Sequence, residues 1–385
     1  MRSPPEELEH LPIEEEGEQA VENGVEVEPT LFGARNRFAQ TAVGVLVLVA
    51  AIYFLLPRAL DLDDAFGKLD EGDPVWIAIG FAFTVGMFAA YVALFRGVVG
   101  SHVVRLRWRE SYEITMAGLA ATRLFSAGGA GGLVLTYWAL RRAGVARRNA
   151  ADRMVAFLVL TYAVYLAALV IFGILLRTGV LSGEAPLSGT VIPAALAGAV
   201  IVICLLIALL PDDVEHRIAR HTSGRFGAIA TRLATAPASL AQGTRTAISV
   251  LRHPRSGARA IGGAIGFWAA NIAILWASFH AFDTAVPLGV VVQGFFLGMI
   301  ANLFPLAPGG VGAVDAGMIG AFVLFGIPGA EVFAAVLTYR VIAFWLPIPP
   351  GIIAFFQLRS TVQRWEEEGR APGKLGVGEP EAARA

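Results

Sequence analysis

Six apolar runs, each close to the ~20 residues that a helix needs to cross a bilayer, dominate this sequence. They lie at residues 38–57, 75–99, 154–176, 190–210, 261–281 and 331–356. Backbone groups inside lipid must bond to one another, so such runs favour helices. With 56% apolar and 16% charged residues, the composition is also unlike that of a soluble domain. We therefore expect an all-α polytopic integral membrane protein with about six full spans.

Arginine placement orients these spans, because cytoplasmic loops carry an excess of basic residues. The loops at 178–189 and 282–287 contain neither Arg nor Lys. The connections predicted to be cytoplasmic are rich in Arg, including Arg35, Arg37, Arg105, Arg107, Arg109, Arg217, Arg220, Arg225, Arg359 and Arg364. This pattern predicts a multi-pass protein of the plasma membrane with both termini in the cytoplasm.

Two polar tails flank the predicted membrane domain. Residues 1–30 contain ten Glu and one Arg, a composition that cannot bury a core and predicts disorder. The connection between the fourth and fifth spans mixes Arg with apolar residues, which indicates an amphipathic segment resting on the membrane. The predicted divisions are a disordered cytoplasmic tail at 1–32, a membrane domain at 33–360, the cytoplasmic connection at 211–259 and a second disordered tail at 361–385.

Two further apolar segments, 111–140 and 288–326, are each interrupted by glycine. The interruptions read SAGGAGG at 126–132 and PLAPGGVG at 305–312. Flanking arginines predict that both ends of the first segment are cytoplasmic, whereas the second has no basic residue at either end. The 16-residue arms span roughly 24 Å as helix, which is short for a full crossing. We expect two re-entrant hairpins with glycine tips; counted as spans, they would raise the total to eight.

The two halves of the membrane domain also resemble each other. A leucine-phenylalanine pair, a glycine pair and the sequence VLTY recur in the same order, at offsets of 179, 178 and 177. The landmarks are Leu124-Phe125 with Leu303-Phe304, Gly131-Gly132 with Gly309-Gly310, and 159–162 with 336–339. Because the charge pattern gives the halves opposite orientations, we expect an inverted-topology repeat, with repeat one at 38–177 and repeat two at 190–356.

The glycine tips have two interpretations. Transporters use paired broken helices to direct helix ends and free backbone groups at a substrate near the midplane, and bare N–H groups beside a glycine pair suit an anion. Alternatively, the glycines only allow close helix packing. On the first interpretation the tip residues line a substrate path: Gly131, Gly132, Asn302, Pro308, Gly309, Gly310 and Gly312.

Three charges are predicted to lie deep in the membrane, where a charge costs at least about 2.5–3.5 kcal/mol. Arg340 is ten residues into the last span, and Arg123 precedes the first glycine tip. Asp315 follows the second tip and could be a structural counter-ion for Arg340. Alternatively, both arginines attract a lipid phosphate, since guanidinium binds phosphate bidentately. For Glu113, near the cytoplasmic mouth of the first hairpin, exposure to water is an adequate explanation.

Other chemistry has little support in the sequence. The six His residues form no metal-ligand spacing, and neither a HExxH motif nor a phosphate loop is present. We therefore expect no cofactor and no enzyme activity, and the net charge of −1 argues against a nucleic-acid partner. An intramembrane enzyme acting on a lipid-linked sugar is the weakest alternative, because Asp315 is the one well-placed acid.

The stretch NLFPLAPGGVGAVDAGMIGAFVLFGIPGAEVFAAVLTYRVIAFWLPIPPG, with the earlier LFSAGGAGGLVLTYWALRRAGV, strongly resembles the lysylphosphatidylglycerol synthase transmembrane family. This is the flippase-like domain of the multiple peptide resistance factors. The resemblance covers about 33–360 and, position by position, Pro308, Gly309, Gly310, Gly312, Tyr339 and Arg340. Asp315 stands where that family usually has Glu, and LPLAP departs from its usual P-T-P spacing.

The resemblance implies a membrane protein with re-entrant elements that handles lipids. In its best-known members a soluble aminoacyl-transferase domain follows the membrane domain. We expect no such domain in this chain. Some archaeal relatives are tied to lipid-linked sugars. The leading hypothesis is therefore a flippase-like transporter of an anionic phospholipid or polyprenyl-phosphate lipid. The alternative is a non-transporting accessory subunit or scaffold for a separate lipid-modifying enzyme. The sequence is also compatible with a homo-oligomer.

Overall fold

The computed structural model describes residues 71–100, 103–125, 130–208, 240–303 and 310–369. Within these ranges the regular structure is entirely helical, and a further helical stretch covers 240–252. The helices are α1 Pro74–Val99, α2 Trp108–Phe125, α3 Ala130–Arg142, α4 Arg147–Arg177, α5 Val191–Ala208, α6 Pro254–His280, α7 Leu288–Met299, α8 Ala313–Leu324, α9 Gly329–Arg340 and α10 Ile348–Glu367. A 3₁₀ turn, Ile300–Leu303, follows α7, and a π-helical turn, Val341–Trp345, joins α9 to α10.

The prediction of an α-helical membrane protein is confirmed. Among the described residues, α1, α4, α5, α6 and the joined α9–α10 are long and apolar enough to cross a membrane. The predicted first span at 38–57, the tail at 1–32 and the greater part of 211–259 lie outside the described residues. The last helix continues beyond the predicted domain boundary at residue 360, to Glu367.

Helices α1 and α6 pack against each other through small residues. A methyl group added at Gly263 would lie 2.3 Å from the backbone nitrogen of Leu94, and one added at Gly97 would lie 2.5 Å from that of Ala260. Distances this short mean that the two backbones are in direct contact, as small residues permit in membrane helices. The α1–α6 contact therefore depends on glycine at both positions.

In two short helix pairs, α2 with α3 and α7 with α8, the helices also contact each other at glycine residues. A methyl group at Gly132 would lie 2.4 Å from the carbonyl oxygen of Gly118, and one at Gly317 would lie 2.7 Å from that of Gly298. At about 1.5 Å per residue, the 12- or 13-residue helices α3, α7 and α8 are roughly 18–20 Å long. None of these three covers the ~30 Å hydrocarbon layer alone.

Each short pair lies against the long helix that follows the other pair. Helix α2 packs on α10, where a methyl group at Gly351 would lie 2.6 Å from the Cβ of Ala120. Helix α7 packs on α4, where the Tyr165 hydroxyl donates to the carbonyl oxygen of Phe296 at 2.6 Å. The contacts between the short pairs and the long helices are thus reciprocal.

The expectation that Glu113 is exposed is wrong. Its side chain is fully buried between α2 and α10, where Thr361 Oγ1 donates to Oε2 at 2.7 Å and Arg109 Nε donates to Oε1 at 2.9 Å. One turn earlier, Glu110 Oε1 accepts from the indole nitrogen of Trp365 at 3.3 Å. These carboxylates fasten the start of α2 to the end of α10.

Candidate functional site

The second helix break is shaped by glycine. Gly310 and Gly312 have φ values of +67° and +81°, a region that glycine enters without steric penalty. A methyl group at Gly310 would lie 2.6 Å from Oδ1 of Asn302, an exposed residue in the 3₁₀ turn. Gly312 is the N-cap of α8, and its N–H donates to Asp315 Oδ2 at 2.9 Å. The break therefore fixes the position of the Asp315 carboxylate.

Asp315 and Arg340 form a buried ion pair between α8 and the end of α9. Their Oδ1 and Nε atoms are 2.5 Å apart, and the two residues are 3% and 5% exposed. Asp315 is therefore the counter-ion of Arg340, as the sequence suggested. Because neither charge reaches water, removing one partner would leave the other buried and uncompensated.

Arg123, at the end of α2, caps the break in the last helix. Its Nη1 and Nη2 donate to the carbonyl oxygens of Phe344 and Ala343 at 2.8 and 2.9 Å. Pro347 has no N–H with which to bond the Ala343 carbonyl four residues earlier. The π-helical turn adds to the disruption, since Leu346 N–H donates five residues back, to Val341. The guanidinium thus gives the Ala343 carbonyl a donor that the broken helix lacks.

The two arginines meet over one aromatic ring. The guanidinium carbon of Arg340 is 4.5 Å, and that of Arg123 is 5.2 Å, from the centroid of Phe344. Arg123, Asp315 and Arg340 therefore form one group, which we name the charge cluster. Phe344 was not predicted as a site residue; the available signal was its position four residues after Arg340, on the same helical face.

Tyr339 supports this region from α9. It is buried, and its hydroxyl donates to Asn271 Oδ1 at 3.2 Å, while Asn271 Nδ2 donates to the Phe267 carbonyl at 2.8 Å. Its polar atoms are thus engaged with α6.

The remaining predicted site residues are Gly131, Gly132, Pro308 and Gly309. Gly132 packs directly against α2, while its neighbour Gly131 is partly exposed near the start of α3. Pro308 and Gly309 lie outside the described residues. The structure therefore brings the three charges together, and it gives Gly132 a packing contact.

A separate apolar groove of about 400 Å³ lies between α4, α6 and α7. Its lining includes Val164, Phe172, Trp268, Trp276, Val292 and Phe296. Such a surface suits hydrocarbon and offers little to a charged group. None of the three residues of the charge cluster lines this groove.

The sequence is similar to those of known membrane proteins. The family model described as the lysylphosphatidylglycerol synthase TM region matches residues 41–351, well over half of the chain. A UPF0104 membrane protein of Methanothermobacter thermautotrophicus is 24% identical over 332 residues, which cover 83% of this chain and 95% of the relative. A shorter match to a UPF0104 membrane protein of the same organism is 31% identical over 86 residues, or 22% of this chain and 26% of that protein.

Proposed function

Since the chain belongs to the lysylphosphatidylglycerol synthase TM region family, we propose that it moves a lipid between the two leaflets of a membrane. The lipid is an anionic phospholipid or a lipid-linked precursor, and the membrane is the plasma membrane. The head group passes the two helix breaks, and the acyl chains stay in the bilayer. The protein acts as a transporter and not as an enzyme.

The charge cluster carries this proposal. Two arginines and one carboxylate lie beside a break in the last helix and a glycine turn at the start of α8. Buried charges inside a membrane are costly, and they are typically retained along substrate or ion pathways. Guanidinium groups bind phosphate oxygens bidentately. Arg123 and Arg340 are therefore the residues that bind the phosphate. Asp315 neutralises one of their two positive charges when no lipid is bound.

An inverted-topology repeat with two re-entrant hairpins would give this site its geometry. In support, the short helix pairs pack reciprocally on α4 and α10. A methyl group added at Gly173 of α4 would lie 2.9 Å from the carbonyl oxygen of Thr190 and 3.3 Å from the Gln293 side chain of α7, and one at Gly351 of α10 would lie 2.6 Å from Ala120 of α2. The spacing from the VLTY motif to this glycine is one residue longer in the second half. A π-helical turn accommodates one extra residue, and one occurs there, at Val341–Trp345.

Cysteine accessibility tests the opposite orientations. In a Cys204→Ala background, Arg142→Cys should react with an impermeant thiol reagent from the cytoplasmic side only. Pro328→Cys should react from the outside only, because the intervening helices reverse the direction of the second half. Both positions are exposed. Labelling of both from the same side would contradict the inverted repeat.

Lipid movement in proteoliposomes tests the function itself. Labelled phosphatidylglycerol, phosphatidylethanolamine and a short polyprenyl-phosphate sugar would be compared, with protein-free vesicles as the control. We expect movement of one anionic class well above the control. If folded protein moves none of the three, the accessory-subunit alternative is favoured, and co-purification of a lipid-modifying enzyme would then test that alternative.

A further inference from the structure

We infer that the charge cluster selects a head group carrying one negative charge, a phosphodiester, over the dianionic phosphomonoester or a pyrophosphate. This inference rests on the proposed function, because it concerns the substrate of the same site. It follows from the number of charges in the cluster and from the donors that the cluster can offer.

The cluster has a net charge of +1. Arg123 and Arg340 each contribute one positive charge, and Asp315 contributes one negative charge. The aromatic side chains that interact with them, Phe344, Tyr339 and Tyr91, are neutral. The tip residues at 126–129 and 304–309, and the apolar run at 38–57, contain no Asp, Glu, Lys, Arg or His. These segments therefore leave the sum unchanged.

The two acidic side chains of α2 lie far along the helix from Arg123. Glu110 and Glu113 are in the first two turns of α2, whereas Arg123 is in its last turn. Ten residues of helix separate Glu113 from Arg123, about 15 Å. The Glu113 carboxylate is also engaged by Thr361 and Arg109. These two carboxylates are therefore not counted in the charge of the cluster.

Electrostatics in a low-dielectric site favour a bound state of zero net charge. One phosphodiester brings the cluster from +1 to 0, whereas a dianion brings it to −1 and leaves an unbalanced charge away from water. A zwitterionic head has no net charge, because its ammonium group cancels the phosphodiester, so it leaves the cluster at +1. The order expected from charge alone is phosphodiester anion first, with the zwitterion and the dianion behind it.

The cluster also has donors that a phosphodiester can use. Arg340 Nη2 is buried and has no hydrogen-bond partner among the described residues. Arg123 directs both terminal nitrogens at two backbone carbonyl oxygens, and two phosphate oxygens can replace these acceptors with the same fork geometry. Asp315 forms an ion pair with Nε of Arg340. It is therefore an internal anion that limits the charge of the substrate to one.

The test compares phosphatidylglycerol with phosphatidic acid of identical acyl chains, near pH 8. There a phosphomonoester, whose second pKa is about 6, is largely dianionic. Wild-type protein should move phosphatidylglycerol at least about tenfold faster, which corresponds to ~1.4 kcal/mol. Asp315→Asn raises the cluster to +2 and should shift this ratio at least tenfold towards phosphatidic acid. Asp315→Glu, which keeps the charge, should retain the wild-type preference.

A second variant covers the case in which Asp315→Asn does not fold. Arg123→Gln lowers the cluster to 0, and it should shift the preference from phosphatidylglycerol towards zwitterionic phosphatidylethanolamine. Movement of lipid with ratios unchanged in the folded variants would overturn the charge selection and leave the proposed function standing. No movement of any lipid by wild-type protein would overturn the proposed function itself.

Discussion

Replacing Arg340 with alanine is expected to lower the free energy of unfolding by about 3–5 kcal/mol, because Asp315 would remain buried without its counter-ion. Asp315 is 3% exposed, so water cannot take over the role of the guanidinium. The Asp315→Ala variant should be destabilised for the same reason, with the charges reversed. Thermal or denaturant unfolding in detergent would measure both effects.

The matched control replaces both charges at once. The double variant Arg340→Met with Asp315→Leu removes the ion pair without leaving a lone charge, and such exchanges are often neutral or stabilising. Its stability should recover most of the loss, short of the ~1 kcal/mol of the bond to the Gly312 N–H at the N-cap of α8. Single variants as stable as wild type would show that the buried pair contributes little to folding.

Replacing Gly263 with alanine is expected to destabilise the fold by about 1–3 kcal/mol or more, because the added methyl group meets backbone atoms. It would lie 2.3 Å from the nitrogen and 2.6 Å from the Cα of Leu94, neither of which can rotate away. Helices α1 and α6 would have to separate along their whole contact.

Gly262 provides the control, since a methyl group added there has nothing within 4 Å. Gly262→Ala should leave stability unchanged or raise it by up to ~1 kcal/mol through helix propensity. Unfolding in detergent would compare the two variants, and equal stabilities would mean that α1 and α6 are not in backbone contact.

The spans could be predicted from the sequence because a long apolar run has few structural solutions in a bilayer. The described residues contain helices at five of the six predicted runs. The break within the last span could also be predicted, since Pro347, Pro349 and Pro350 cannot donate to a helical ladder. Both the spans and the break depend on residues that are close together in the sequence.

The parts that could not be predicted depend on partners distant in sequence. Glu113 is buried because Thr361, 248 residues later, provides a hydrogen bond. Arg123 lies near the glycine tip in sequence, yet its bonds go to carbonyl groups 220 and 221 residues away. An arginine in an apolar segment signals that a partner exists, but spacing along the chain does not identify a carbonyl as that partner.

The central claim is that the charge cluster moves a phosphate-bearing lipid. Its most direct test is the initial rate of phosphatidylglycerol movement in proteoliposomes, comparing wild type with the Arg340→Met, Asp315→Leu double variant after both are shown to be folded. The account predicts rapid movement by wild type and the rate of protein-free vesicles for the double variant. Equal rates for the two proteins would contradict it.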